Sequence, residues 1–330
     1  MRCQPLRLAL DLNRQIHLMA KKQRIDHFNK WPEVQEFKAE TLFKERTQQL
    51  SKKDLFLPYQ IPSTTNTDIH ISVSYLLDAV DSLPLRPDHA FDWTWRAFEY
   101  LAGKAYPSHG SITNILRSGV SQSLSEYFLS NQSAADSYFD LVKKIPFQTC
   151  EYLLKRIIEG SPYTFTALTQ KSLSSYAKRI LFANGNLPVI SQSLQASIEH
   201  LSKKYDYKIS AQRRNGASLL RRIIRGEQVT IGSSVIQLTR DEILFFLISG
   251  LGYAFRNDRA HAKSISPFRS SYAKVSTYAH CWFMFLLIYE TIFSLLHTSN
   301  SPLQLSGCPS QNFYSNNSAF LILFGDHLNA

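Results

Sequence analysis

Thr239-Arg240-Asp241-Glu242-Ile243-Leu244-Phe245-Phe246-Leu247 is the stretch on which the fold class turns. A threonine with a glutamate three residues on has the form of a capping box, in which each side chain satisfies the other residue's free backbone N–H. Beyond the cap, Ile243, Leu244, Phe246 and Leu247 make the helix apolar enough to sit in the middle of a bundle. A helix that starts so cleanly and is so apolar predicts an all-α protein, a helical bundle, and the neighbouring segments agree.

Downstream, this helix leads into Phe255-Arg256-Asn257-Asp258-Arg259-Ala260-His261, and after a loop over 264–270 a long helix is expected from Ser271. Tyr272, Val275, Tyr278, Ala279, Trp282, Phe283, Leu286, Tyr289 and Phe293 mostly keep helical spacing. The run Cys281–Leu296, interrupted by Glu290, falls short of the roughly 20 apolar residues a membrane span needs and reads as a buried core helix. Residues 298–330 turn to Ser, Asn and Pro with one formal charge, Asp326, and are expected to be a poorly ordered tail with a sticky patch at Phe320–Phe324.

Upstream, Val229–Leu238 alone has strand character, as a short hairpin or an extended linker. Before it, residues 203–225 hold eight basic residues against one acid, Asp206. Arg213, Arg214, Arg221, Arg222 and Arg225 could hold a phosphate backbone; a solvated helix face is the equal alternative. Helical patterns run over 138–145, 150–158, 163–182 and 191–205 with short connectors between them. In the N-terminal part, helices are expected from Pro32 and over 69–80, the latter capped by Asp68. Phe91, Trp95 and Phe98 share one face of a third, where core packing outweighs a base-stacking role. The domain reading is a helical N-terminal region over 1–148, a second helical domain over 149–297, and the tail over 298–330.

The chain has 330 residues, 44% hydrophobic, so a substantial core is available. Only 12 glycines argue against Gly-rich nucleotide loops and against a turn-rich β fold. A net charge of +11 favours an anionic partner, with RNA first among them. Cys3, Cys150, Cys281 and Cys308 lack metal-ligand spacing, and no cofactor or metal is expected. They read as reduced thiols in a cytoplasmic protein. The first residues, interrupted by Asp11, Asn13 and Arg14, do not read as a signal peptide, and no membrane association is expected.

The chemistry concentrates at 256–261. Arg256 is a permanent, forked cation suited to phosphate oxygens. His261 carries an imidazole, whose unperturbed pKa of about 6.5 suits proton transfer at neutral pH. Asn257 adds a carboxamide, and Arg259 and Lys263 add positive charge. No run of acids accompanies them in the sequence, which disfavours a magnesium-dependent nuclease. On a regular helix, Arg256 and His261 differ by about 500° of rotation and about 7.5 Å of rise, so one helix face does not hold both. Each also has a structural alternative: arginines suit a helix C-terminus, and a histidine there can serve as a cap.

Arg256-Asn257 followed, after three further residues, by His261, between two apolar helices, resembles the signature of the HEPN superfamily. That signature is an arginine, often with a polar residue directly after it, and a histidine a few residues on. The resemblance covers about 243–296 and extends the HEPN-like domain back to about 149. It implies a helical bundle that pairs with a second copy, the two motifs forming one metal-independent ribonuclease site. His261 would then act as general base or acid, Arg256 would hold the scissile phosphate, and Asn257 would orient a neighbour or the phosphate. A homodimer, a toxin or defence role and an inhibitory partner protein follow from the family alone. A non-catalytic RNA- or nucleotide-binding module is the alternative.

Overall fold

The computed structural model describes residues 4–33, 36–160, 182–183, 187–188, 191–261 and 266–329. They are mostly helical. In chain order the helices are α1 Gln4–Phe28, α2 Lys38–Gln48, α3 Lys52–Leu55, α4 Thr67–Asp81, α5 Pro87–Ala105, α6 Ile112–Asn114, α7 Ser121–Ser130, α8 Gln132–Lys143 and α9 Phe147–Gly160. Then come α10 Gln192–Lys204, α11 Ser210–Ile224, α12 Arg240–Phe245, α13 Tyr253–Ala260, α14 Val275–Leu296 and α15 Ser310–Phe324. Two short antiparallel pairs complete them: β1 Phe182–Ala183 with β2 Leu187–Pro188, and β3 Val229–Ile231 with β4 Ser234–Ile236. The helix expected over 163–182 lies outside the described residues, apart from Phe182 in β1.

The capping box at 239 forms as written: Thr239 Oγ1 accepts from the Glu242 N–H at 3.3 Å, and the Glu242 carboxylate accepts from the Thr239 N–H at 2.6 Å. From there the helical path is continuous to Ala260, passing through a wide π turn over Phe246–Gly252. Gly252 is needed for this course. A Cβ there would stand 3.2 Å from both Ile288 Cδ1 and Trp95 Cζ3, so the absent side chain lets the backbone pass between α5 and α14.

The centre of the molecule is α14, all 22 of whose residues are buried. A helix that is apolar on every side can satisfy itself only with neighbours all round. Here α2, α5, α8, α9 and α15 supply them. Phe43 and Phe268 stack on Tyr278 at 4.0 and 3.9 Å between ring centroids. This is the one helix among the described residues long and apolar enough to cross a membrane, and it is wholly enclosed. It begins at Val275 rather than at Ser271, because Pro267–Arg269 forms a separate 3-10 turn and Lys274 is extended.

Two expectations change. The division at 148/149 is not a break in packing: α5 lies against α14, and one hydrophobic core runs from Ala39 to Leu328. The tail is ordered and structural, since α15 buries Phe313, Phe320, Leu323 and Phe324 against α8 and α14. Its asparagines, which suggest a solvated segment, point inward. Asn316 pairs with both the N–H and the C=O of Leu57, and Asn317 donates to the Ser137 carbonyl at 2.9 Å. Smaller shifts follow the same logic: α4 is capped by Asn66 rather than by Asp68, because the Asn66 carboxamide oxygen accepts from the N–H groups of Asp68 and Ile69. The helix anticipated from Pro32 starts at Lys38. Phe91, Trp95 and Phe98 are core residues, and Val229–Leu238 folds as a hairpin turning at Gly232 with φ +63°.

Within α14, Glu290 is fully buried, and burial holds its carboxyl well above the usual range, favouring the neutral form. A carboxyl whose folded pKa exceeds its unfolded value contributes stability at low pH that is lost as pH rises through the folded value. Glu290→Gln is therefore expected to match the wild type in urea unfolding at pH 4 and to be more stable at pH 8.

Candidate active site

Three of the side chains around the motif are spent on holding α13 in place. Phe255 packs edge-on against Phe91, His280 and Tyr152, at 4.7, 4.9 and 5.7 Å. Arg259 reaches α5: its Nε donates to Asp92 Oδ1 at 2.6 Å and its Nη2 to Asp92 Oδ2 at 2.5 Å and Asp88 Oδ2 at 3.2 Å. Asp88, at 0% exposure, also accepts two bonds from Arg86, at 3.0 and 2.9 Å. Burial pushes the Asp88 carboxyl up, but the Arg86 hydrogen bonds and the charges of Arg259, Arg86 and His89 together hold it below its ordinary value. Burial would lower the Arg259 pKa, and its bond to Asp92 and the two carboxylate charges raise it instead. On the opposite side of α13, Asp258 accepts from the Tyr152 hydroxyl at 2.9 Å and pairs with Arg156 of α9 at 3.5 Å.

The remaining polar residues face outward. Arg256 makes an ion pair with Glu99 of α5 at 3.3 Å and donates to Asn257 Oδ1 at 3.2 Å. Its side chain is 33% exposed, against 15% for Arg259. His261 is the exposed C-cap of α13, with its N–H on the Asn257 carbonyl at 3.1 Å. Four residues apart on a helix, Asn257 and His261 share one face. Asn257 thus meets Arg256 through its side chain and His261 through its backbone carbonyl. Beside them opens a cleft of about 260 Å³ lined by Asp92, Trp95, Arg96, Glu99, Arg256 and Arg259, and reaching Ala260.

The acids of this cleft, Asp92 and Glu99, and the buried Asp88 behind Arg259 are what sequence reasoning missed. Asp88, Asp92 and Glu99 lie far from 256–261 along the chain, yet α5 brings all three to the motif. Their i, i+4, i+11 spacing within an aromatic window was the available signal. All three are engaged by guanidinium groups, and among the described residues no group of three or more His, Cys, Asp or Glu could hold a metal ion. The nearby His280 is not an acid–base candidate: burial and then the Arg259 charge push its pKa down to about 3, and it pairs with Thr149 Oγ1 at 2.9 Å.

The expected RNA-binding residues do not form one stripe. Arg221 is buried, donating from Nε to the Ile145 carbonyl at 2.9 Å and from Nη1 to Asn329 Oδ1 at 2.6 Å, so it anchors the tail rather than facing solvent. Arg259 is likewise occupied internally. Arg222 pairs with Glu227 at 2.9 Å, and the half-buried Arg225 has its Nε enclosed. Arg213 pairs with Glu151 at 3.0 Å, while Arg214 is exposed. Lys263 lies outside the described residues. The physical reason for the split is helical: α11 turns its successive arginines to different sides, toward α9 and the tail on one and toward solvent on the other.

Comparison of the chain with models of known protein families, with characterised proteins and with solved structures found no match.

Proposed function

We propose that this chain is a metal-independent RNA endonuclease of HEPN type, acting as a homodimer in which two copies of the α13 end face one cleft. The observation that carries this reading is the division of labour within the motif. Arg259 and Asp258 are consumed in fixing α13 to α5 and α9, whereas Arg256 and Asn257, bonded to each other, are only half-buried and His261 is exposed.

In this reading His261 takes the proton of an RNA 2′-hydroxyl as its oxygen attacks the adjacent phosphorus. The P–O5′ bond breaks, and the imidazole of the second copy protonates the departing O5′. Arg256 has five N–H donors, so pairing with Glu99 and Asn257 leaves capacity for the phosphate oxygens. Its fixed charge offsets the negative charge that builds on those oxygens. Asn257, accepting from Arg256, sets the plane of the guanidinium. The same resemblance would make the protein a toxin or defence effector restrained by a partner protein.

The reaction leaves a 2′,3′-cyclic phosphate on one fragment and a 5′-hydroxyl on the other. Incubation of the purified chain with RNA in EDTA, with mapping of both fragment ends, is expected to find that pair. Fragments carrying 5′-phosphate, or cleavage that EDTA abolishes, would contradict the reading. A non-catalytic RNA-binding module is the second reading, favoured by the ion pair Glu99 already makes with Arg256. RNA retained intact by the wild-type chain would select it.

A further inference from the structure

A second cleft, of about 460 Å³, opens between the start of α9, the exposed side of α11 and the segment that enters α14. The tail completes it. Phe147 N–H donates to the Leu328 carbonyl at 2.8 Å, and Asn329, held by the buried Arg221, lines the cleft wall. Two segments far apart in sequence are thus tied down around a volume suited to a small ligand.

Its charge is what singles it out. Arg213, Arg214 and Lys274 line it against one carboxylate, Glu151, and that carboxylate is taken by Arg213 at 3.0 Å. Arg214 and Lys274 are exposed and make no ion pair among the described residues. Two cations therefore line one concave surface with no carboxylate among the described residues paired to either, an arrangement that favours a bound anion. Gln148 and Ser276 add hydrogen-bonding groups, themselves bonded to each other at 2.9 Å, and Tyr272, 44% exposed, adds an aromatic ring at the rim. Cations that track phosphate beside a ring that can stack on a base are the combination by which single-stranded nucleic acids are held.

We infer that this cleft is a nucleoside-phosphate site, with Arg214 and Lys274 on the phosphate and Tyr272 against the base. It lies apart from the residues of the proposed cleavage site and does not depend on cleavage. The ligand chemistry is shared by a free nucleotide and by a unit of an RNA chain, and competition separates the two.

The test uses the full chain and a fluorescent oligoadenylate, read by anisotropy at about 50 mM salt, where phosphate contacts are strong. Arg214→Glu/Lys274→Glu is expected to weaken binding at least about tenfold. Lys22→Glu/Lys143→Glu, which makes the same change in net charge at exposed positions elsewhere, is expected to stay within about threefold. Thermal unfolding of both variants checks that the fold is kept, and Arg214→Gln/Lys274→Gln serves if charge reversal disturbs it. Displacement of the oligomer by AMP assigns the site to a free nucleotide; resistance to millimolar AMP assigns it to the RNA chain. Equal affinity in wild type and cleft variant, equal loss in the two charge-reversed variants, or no binding of either probe by the wild type would overturn the inference. Cleavage with normal product ends alongside any of those results would leave the proposed function standing and remove this site alone.

Discussion

Arg259→Ala is expected to lower the unfolding free energy by about 3–5 kcal/mol, the cost of breaking a buried ion pair by removing one partner. The side chain is 15% exposed and engages two carboxylates, of which Asp88 is fully buried. Truncation leaves Asp92 without its two-pronged partner and Asp88 with Arg86 as its main compensation. It also frees the end of α13 from α5, so the surface residues of the motif lose their support along with the fold. Arg259→Lys should recover only part of the loss, because an ammonium cannot reproduce a planar fork that meets both Asp92 oxygens. Urea unfolding at pH 7 measures the difference.

The pH dependence has a definite sign. The folded pKa of Asp88 lies below its unfolded value, so its contribution is complete above about pH 3.8 and is lost as pH falls through the folded value. The deficit of Arg259→Ala relative to wild type is accordingly expected to be largest near neutral pH and to shrink toward pH 3.

His261→Ala is expected to act in the opposite way, leaving stability nearly unchanged and removing catalysis. The residue is an exposed C-cap, and substitutions at such surface positions usually shift stability by no more than about 0.5 kcal/mol. A positioned acid or base contributes about a hundred- to ten-thousand-fold to rate, and a composite site would lose both its imidazoles at once in the variant. A drop in stability with cleavage retained would instead mark His261 as a helix terminator. Arg256→Ala is a weaker discriminator, since it also strands Glu99, which is 26% exposed.

Much of the fold was legible because local signals and burial agreed. The capping box at Thr239, the aromatic face of α5 and the mostly apolar α14 each follow from the spacing of a few residues, whereas the hairpin at Gly232 was one of two readings that the local sequence left open. The reading failed where polar residues turn inward. Asn316 and Asn317 satisfy backbone groups of Leu57 and Ser137, so a composition typical of a solvated tail belongs to a buried helix. Arg221 and Arg259 misled in the same manner, since a formal charge in the sequence does not say whether its partner is solvent, phosphate or a carboxylate on another helix. The candidate site was half legible. Arg256, Asn257 and His261 are local and their types suggest their chemistry, but Asp88, Asp92 and Glu99 arrive through the packing of α5 on α13, a pairing that local spacing does not encode.

RNA cleavage by the exposed end of α13 through His261 is the step on which the proposed function rests. Its most direct test is the cleavage rate of a labelled RNA in EDTA by wild type and His261→Ala side by side, with their unfolding midpoints measured in parallel. Matched midpoints and a rate at least about a hundredfold lower in the variant are expected. Equal rates in the two proteins would contradict the proposed function.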